Sequence, residues 1–400
     1  MEEHHEAYFF WKQLGVRSAW CWHVDAHLDI GREGLSAKRL ESLVDCTSSE
    51  QTQQQGLLGT CYLPWGGLHC GNYLYPAISE GIVSRLTWVI PPHLPTGELL
   101  EWTRKHLDGW FEMSLEEWAS FRLEDGVVKG VALGIPMEVG TWEKLSAPDE
   151  PVLVDIDIDY FLTENGEVWW DSQEMASDLK TWPTLATTVA YSVKGGYTPT
   201  EHRTLADPFL TSPEEIPGYR ADVFDDAVAL FRCHKYQEAL QILGDLPGLA
   251  PLYYVGSAHQ KLEQPEEALQ AWSQLCDHEE IPADGQAYLR GLCTEMCLKL
   301  QRFDEAITHA SVGKKLAPQD YRHPWGEAVA RETMGDAKAA IKLVRRALRL
   351  AEGTLFSLKI RLALARLYRR QGQRELSRLE LTQLALHDVT GEYRASTTLT

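Results

Sequence analysis

The chain has 400 residues, 44% of them apolar, which is enough for two domains with separate cores and excludes a small disulfide-stapled module, a fibrous repeat or a disordered tail. The net charge of −20 sits in the first half: residues 1–217 carry 14 Lys+Arg against 34 Asp+Glu, and residues 218–400 carry 24 of each. A negative field repels nucleic acid and draws cations, so a cationic substrate is expected and nucleic acid is not.

Eight cysteines are scattered without a C-x-x-C pair, and the opening Met1-Glu2-Glu3-His4-His5 has neither a basic nor an apolar signal region. A reduced, cytoplasmic protein is therefore expected. No run approaches the roughly 18 apolar residues of a membrane span, so no membrane partner is expected either.

In chain order, residues 15–200 read as short apolar strands alternating with helices. The strands are expected at Arg17 to Val24, Leu86 to Val89, Val127 to Leu133, Val152 to Ile158 and Thr187 to Tyr191. Helices are expected at Leu35 to Leu43, Glu98 to Trp110, Ser114 to Ser120 and Gln173 to Thr181. Such alternation predicts an α/β fold with a mainly parallel sheet, whose ligands gather at the carboxyl ends of the strands.

After Pro217 the pattern becomes helical pairs with small residues twelve apart: Ala227 and Ala239, Gly256 and Ala268, Thr294 and Ala306, Ala328 and Ala340, Ala365 and Ser377. Successive pairs are 29, 38, 34 and 37 residues apart, scattered about the roughly 34-residue period of tetratricopeptide repeats, which this region resembles. The expected domains are thus 1–204, a linker at 205–220, helical repeats at 221–390 and a frayed tail at 391–400. A stacked array presents a concave surface that suits a peptide, and it equally suits a homodimer contact or a stabilising appendage. Residues 338–378 carry twelve Lys/Arg against Glu352 and Glu375 alone. Arg345, Arg346, Arg366 and Arg370 of this stripe are candidate contacts for an acidic peptide.

The strongest chemical signal is Cys21-Trp22-His23-Val24-Asp25-Ala26-His27-Leu28-Asp29 at the end of an apolar run. On a strand, residues two apart share a face at about 6.6 Å, so His23, Asp25, His27 and Asp29 would project together. The segment Val154-Asp155-Ile156-Asp157-Ile158-Asp159 repeats the design, placing Asp155, Asp157 and Asp159 at a second strand tip. Close carboxylates resist burial unless a cation neutralises them, and mixed oxygen and imidazole ligands suit Mn²⁺ or Fe²⁺, with zinc possible.

Asp25-Ala26-His27-Leu28-Asp29 resembles the D-A-H-x-D signature of the arginase and ureohydrolase superfamily, and Asp155-Ile156-Asp157-Ile158-Asp159 resembles its later D-x-D signature. His23, Asn72 to Ala77, Trp88 to Pro91, the Tyr160-Phe161 extension and Gly196-Tyr197-Thr198-Pro199 are similar to a branch that includes peptide arginases, which convert arginine side chains of ribosomally made precursor peptides to ornithine and urea. The resemblance covers residues 15–205 and implies a three-layer α/β/α fold with two Mn²⁺ ions. Asp25 and one aspartate of the second motif would bridge them, with His27 on one ion and Asp29 on the other.

Two registers stay open, since either Asp155 and Asp157 or Asp157 and Asp159 match the ligand pair. The family's remaining histidine ligand comes from a G-G-D-H stretch that is absent here, leaving His69 or His23 as substitutes. Two cations roughly 3.5 to 4 Å apart generate hydroxide at neutral pH. The resemblance implies that Asp29 carries the proton to the departing amine. Asn72, Glu201 and Tyr197 are candidate substrate contacts, and Glu201 and His69 are candidate catalytic groups. Other readings are a ureohydrolase or deacetylase-like enzyme acting on a small guanidine or amide, and a repeat scaffold with a vestigial metal domain.

Overall fold

The computed structural model describes residues 1–210 and 221–394. Residues 211–220 of the expected linker and 395–400 of the expected tail lie outside them. The chain forms two compact units, one of residues 1–111 with 120–254, the other of 112–119 with 255–400.

The first unit is built on a seven-stranded sheet: β1 (Ala19–Val24), β2 (Val83–Val89), β3 (Arg122–Glu124), β4 (Val127–Ala132), β5 (Ile135–Gly140), β6 (Val152–Asp157) and β7 (Thr184–Ala190). Their spatial order is β3-β4-β5-β2-β1-β6-β7. The five strands from β5 to β7 run parallel, and β3 and β4 form an antiparallel edge. The α/β expectation therefore holds, and β3 and β5 are additions to the five expected strands.

Strands β1 and β6 are buried along their whole length, as central strands covered on both faces must be, and this explains their near-continuous apolar runs. Around the sheet lie α1 (Glu6–Gln13), α2 (Ala37–Leu43), α3 (Ser49–Gln54), α4 (Leu74–Ser79) and α5 (Leu99–Phe111). The helix α6 (Leu115–Ser120) falls mostly in the second unit, while α7 (Ser172–Leu179) and a 3₁₀ helix, Thr200–Phe209, belong to the first.

The first helical pair, α8 (Val223–Arg232) and α9 (Tyr236–Leu243), clusters with the sheet. Asp222 caps α8 by accepting from Phe224 N at 2.8 Å and Asp225 N at 3.0 Å, and the Asp225 carboxylate accepts in return from Asp222 N. The same buried Asp225 accepts from Gly195 N at 3.0 Å and from the Tyr62 hydroxyl. The helix start is thereby fastened to the loop that follows β7.

The remaining helices are α10 (Leu249–Lys261), α11 (Pro265–Leu275), α12 (Ala283–Lys299), α13 (Phe303–Leu316), α14 (Arg322–Thr333), α15 (Ala337–Leu350), α16 (Phe356–Arg370) and α17 (Arg374–His387). From α11 onward each packs on the next. The small residues twelve apart are buried where helices cross. A Cβ on Gly256 would lie 2.4 Å from the Trp272 indole, and one on Gly326 would lie 2.7 Å from Thr294. No helix among the described residues is long and apolar enough to cross a membrane.

Gly196 has φ +69°, and a Cβ there would lie 2.6 Å from Ala229 N and 2.7 Å from Asp225 O in α8. Gly196→Ala should therefore destabilise the first unit by about 1–3 kcal/mol, through overlap with backbone and a positive φ. Urea unfolding is the check, and an unchanged midpoint would refute this close approach.

Candidate metal centre

Strands β1 and β6 are parallel neighbours, with His23 opposite Asp155 and Val24 opposite Ile156. Side chains alternate between faces, so Trp20, Trp22 and Val24 join Val152, Val154 and Ile156 in one apolar cluster. His23, Asp155 and Asp157 occupy the other face.

The first motif was expected to be one extended strand and is not, because β1 ends at Val24. There the chain turns: Asp25 Oδ1 accepts from His27 N at 2.6 Å, and Asp29 adopts φ +56°. Asp25, His27 and Asp29 thus converge from a loop rather than from alternate positions on a strand. The second tip behaves alike. β6 ends at Asp157, whose carboxylate accepts from Asp159 N at 3.1 Å and caps a 3₁₀ helix, Ile158–Phe161, that carries Asp159.

At the centre stands His4, fully buried. Its Nδ1 lies 3.2 Å from Asp25 Oδ2, 3.3 Å from Asp29 Oδ2 and 3.3 Å from Asp157 Oδ2, and its Nε2 lies 3.1 Å from Asp155 Oδ1. The segment before α1 is tied down next to it. Ser192 N donates to Glu2 O, Val193 N and Lys194 N donate to Glu2 Oε1, each at 3.1 Å, and Arg203 pairs with Glu2 at 2.7 Å.

The five carboxylates are not equivalent. Asp155 accepts from the Tyr73 and Thr188 hydroxyls and lies 3.1 Å from His23 Nδ1, so both its oxygens already have protein partners. Asp157 accepts from the Ser192 hydroxyl. Asp159 Oδ2 lies 2.9 Å from His27 Nδ1.

Three groups of potential metal ligands result: His4, Asp25 and Asp29; Asp25, His27 and Asp159; and His4, His23 and Asp155. The first two share Asp25.

Burial and crowding set the charges. Burial opposes the charge on His4 and His27, but the carboxylates around them prevail and hold both well above the usual imidazole range. Burial, then the charge of Asp25, pushes Asp29 up to about 6. Burial, then Asp157 and Asp25, raises Asp159 well above the carboxylate range. Asp25 is also penalised by burial, yet His27, His4 and His23 together lower it.

A cavity of about 250 Å³ opens onto His27 and Asp159. Its walls include Leu162, Glu164, Tyr197 and, from α8, Arg232. Tyr197 packs edge-on against His27 at 5.0 Å, and the Arg232 guanidinium stacks 3.5 Å above the Tyr197 ring while donating to Gly195 O at 2.9 Å. Tyr197, one of the expected substrate contacts, lines this cavity.

Three other expected site residues are placed elsewhere. His69 caps a 3₁₀ turn, accepting from Gly71 N at 3.1 Å, and belongs to none of the ligand groups; burial pushes its pKa down to about 4. Asn72 is fully buried and spends its amide on Glu33 O, Gly67 O and His69 N, so it closes a loop instead of meeting a substrate. Glu201 is exposed on the 3₁₀ helix Thr200–Phe209 and does not line the cavity. In the basic stripe, Arg370 pairs with Glu332 and Arg346 donates to Pro318 O at 3.3 Å, whereas Arg345 and Arg366 are exposed.

Sequence reasoning missed His4, Tyr73, Thr188, Ser192, Glu164 and Arg232. For His4 the available signal was a histidine pair directly before an amphipathic helix. The hydroxyls carried none, because their role depends on strand register.

No family model matches the chain, and no curated protein matches it. Among solved structures, the chain is similar to MamA from Desulfovibrio magneticus RS-1, residues 41 to the end, with 15% identity and a TM-score of 0.38, covering 44% of this chain and 99% of that one. It is likewise similar to TTC0263, a thermophilic TPR protein of Thermus thermophilus, with 18% identity and a TM-score of 0.33, covering 44% of this chain and 98% of that one.

Proposed function

We propose that the chain is a Mn²⁺-dependent hydrolase that converts arginine side chains of a peptide to ornithine and urea. The observation that supports it most is the sharing of Asp25 between two ligand groups, one completed by His4 and Asp29, the other by His27 and Asp159. The donor set fits the ion: oxygen and imidazole ligands without thiolate suit Mn²⁺. Asp25 Oδ2 and both His4 ring nitrogens are buried in ion-pair contacts at 3.1–3.3 Å without a well-directed hydrogen bond, an arrangement that a cation bound among them would satisfy.

His4, Asp25 and Asp29 would hold one ion, with Asp157 Oδ2 beside them 3.3 Å from His4 Nδ1, and Asp25, His27 and Asp159 would hold the other. Asp155, already engaged by Tyr73, Thr188 and His23, is left to orient His4 through Nε2, as carboxylates behind ligating histidines do. This reading takes Asp157 and Asp159 as the ligand pair, and His4 in place of His69 or His23 as the remaining histidine.

When bound, the two ions supply hydroxide at neutral pH. The chain's own residues do the rest. Glu164 offers an exposed carboxylate at the cavity wall to the guanidinium. Tyr197, clamped beneath Arg232, fixes the His27 ring by its edge contact. Asp29, at the edge of the ligand group, would carry a proton to the departing amine. Of the four candidate arginines, Arg345 and Arg366 are exposed without an ion pair among the described residues and would meet acidic residues of the peptide.

Metal titration separates the two histidine assignments. Wild-type protein should bind two Mn²⁺ per chain, His4→Ala should bind about one or fewer, because one ligand of three or four is lost, and His69→Asn should bind as wild type. Equal Mn²⁺ content in the His4→Ala variant and wild type would overturn the assignment.

Activity is read by mass. Incubation with Mn²⁺ and arginine-containing peptides should lower peptide mass by about 42 Da per converted site, guanidine giving way to amine. Equal turnover of free arginine or agmatine would instead point to a small-guanidine enzyme. Reversing Arg345 and Arg366 to Glu should raise KM for an acidic peptide at low salt and lose its effect at high salt; a KM that does not move would leave the stripe a solvated helix face.

A further inference from the structure

In the second unit, two thiols and an imidazole converge on a site made entirely of helices. Cys276 ends α11, Cys293 lies within α12 and His309 within α13. The two Sγ atoms are 3.6 Å apart, and one ligand atom from each of the three residues lies within 4.8 Å of the others. Both cysteines are essentially inaccessible, while His309 is half-buried.

We propose that Cys276, Cys293 and His309 form a binding site for a thiophilic divalent cation, Zn²⁺ above all. In a tetrahedral zinc site with Zn–S bonds of about 2.3 Å, two thiolates sit roughly 3.8 Å apart. The observed separation is close to that, so the thiols need little movement to share an ion. Three protein ligands drawn from three consecutive helices would leave the fourth position to water, the arrangement of an open zinc site.

The surrounding charges agree. Arg290 is nearly buried, pairs with Asp277 and has Nη1 3.1 Å from His309 Nδ1. Positive charge there favours thiolate over thiol. Two thiolates with one divalent ion are neutral together, so the ion would leave no net charge on the buried sulfurs. Ligation through His309 requires Arg290 to lean wholly on Asp277, which it already contacts. Sulfur ligands also separate this site from the oxygen-rich centre of the first unit, which has no cysteine in its ligand groups.

Cobalt(II) is the probe, added to the full-length reduced protein. A sulfur-to-cobalt charge-transfer band is expected, saturating at one Co²⁺ per chain and bleached by Zn²⁺. It should disappear in Cys276→Ser and in Cys293→Ser, weaken at least tenfold in affinity in His309→Ala, and persist in Cys297→Ser. It should also persist in Asp25→Asn, which disables only the first unit's centre, so this inference and the proposed function fail separately. Wild-type protein with titratable thiols and no such band would overturn the site, as would a Cys276–Cys293 disulfide forming in the presence of Zn²⁺. Should the serine variants fail to fold, the wild-type, Cys297→Ser and His309→Ala spectra still decide.

Discussion

The candidate metal centre depends on β1 and β6 being hydrogen-bonded neighbours that run in the same direction. The strands lie far apart in sequence, and only parallel pairing brings both carboxyl ends to one edge of the sheet. Register then matters as much as adjacency. With His23 opposite Asp155, the odd-numbered residues of both strands share a face. A slip by one residue would send Asp155 and Asp157 into the apolar cluster of Trp22, Val154 and Ile156. The aromatic and branched side chains of that cluster therefore fix the polar site from behind.

Gathering five carboxylates in a buried space is costly, and the fold answers it in different ways at different residues. Asp155 is satisfied by two hydroxyls and two imidazoles from four separate segments of the chain. Asp157 has a partner on each oxygen, Ser192 on one and the Asp159 amide that it caps on the other. Asp25, Asp29 and Asp159 face one another and the imidazoles of His4 and His27. That gradient, from fully partnered to poorly partnered, separates a carboxylate that positions other groups from carboxylates left available for a cation.

The central part of the site was legible because strands buried on both faces must be apolar throughout, so alternating acids at their ends stand out. Asp25, His27, Asp29, Asp157 and Asp159 are all visible in this way. His4 was not, since nothing local says that a segment preceding α1 will be fastened along the loop after β7 by Glu2. His69 and Asn72 misled for a related reason: polar residues beside a Gly-rich stretch suit a ligand and a turn equally well, and the turn claimed both. Strand β5 escaped notice because Pro136 and Gly140 break its apolar pattern, which an antiparallel partner and a position beside β2 tolerate.

The helical half of the sequence is also not a mere attachment at its beginning. Asp225 in the first turn of α8 holds Gly195, and Arg232 in its last turn stacks on Tyr197, two residues further along the same loop. A single helix thus grips both ends of a short loop whose tyrosine touches His27 and lines the cavity. Gly195 and Gly196 have positive φ, a conformation that lets this loop bend close beneath α8. Removing the first helical pair would consequently loosen the wall nearest His27. The change of periodicity at Pro217 therefore marks a change of architecture without marking the edge of the cavity.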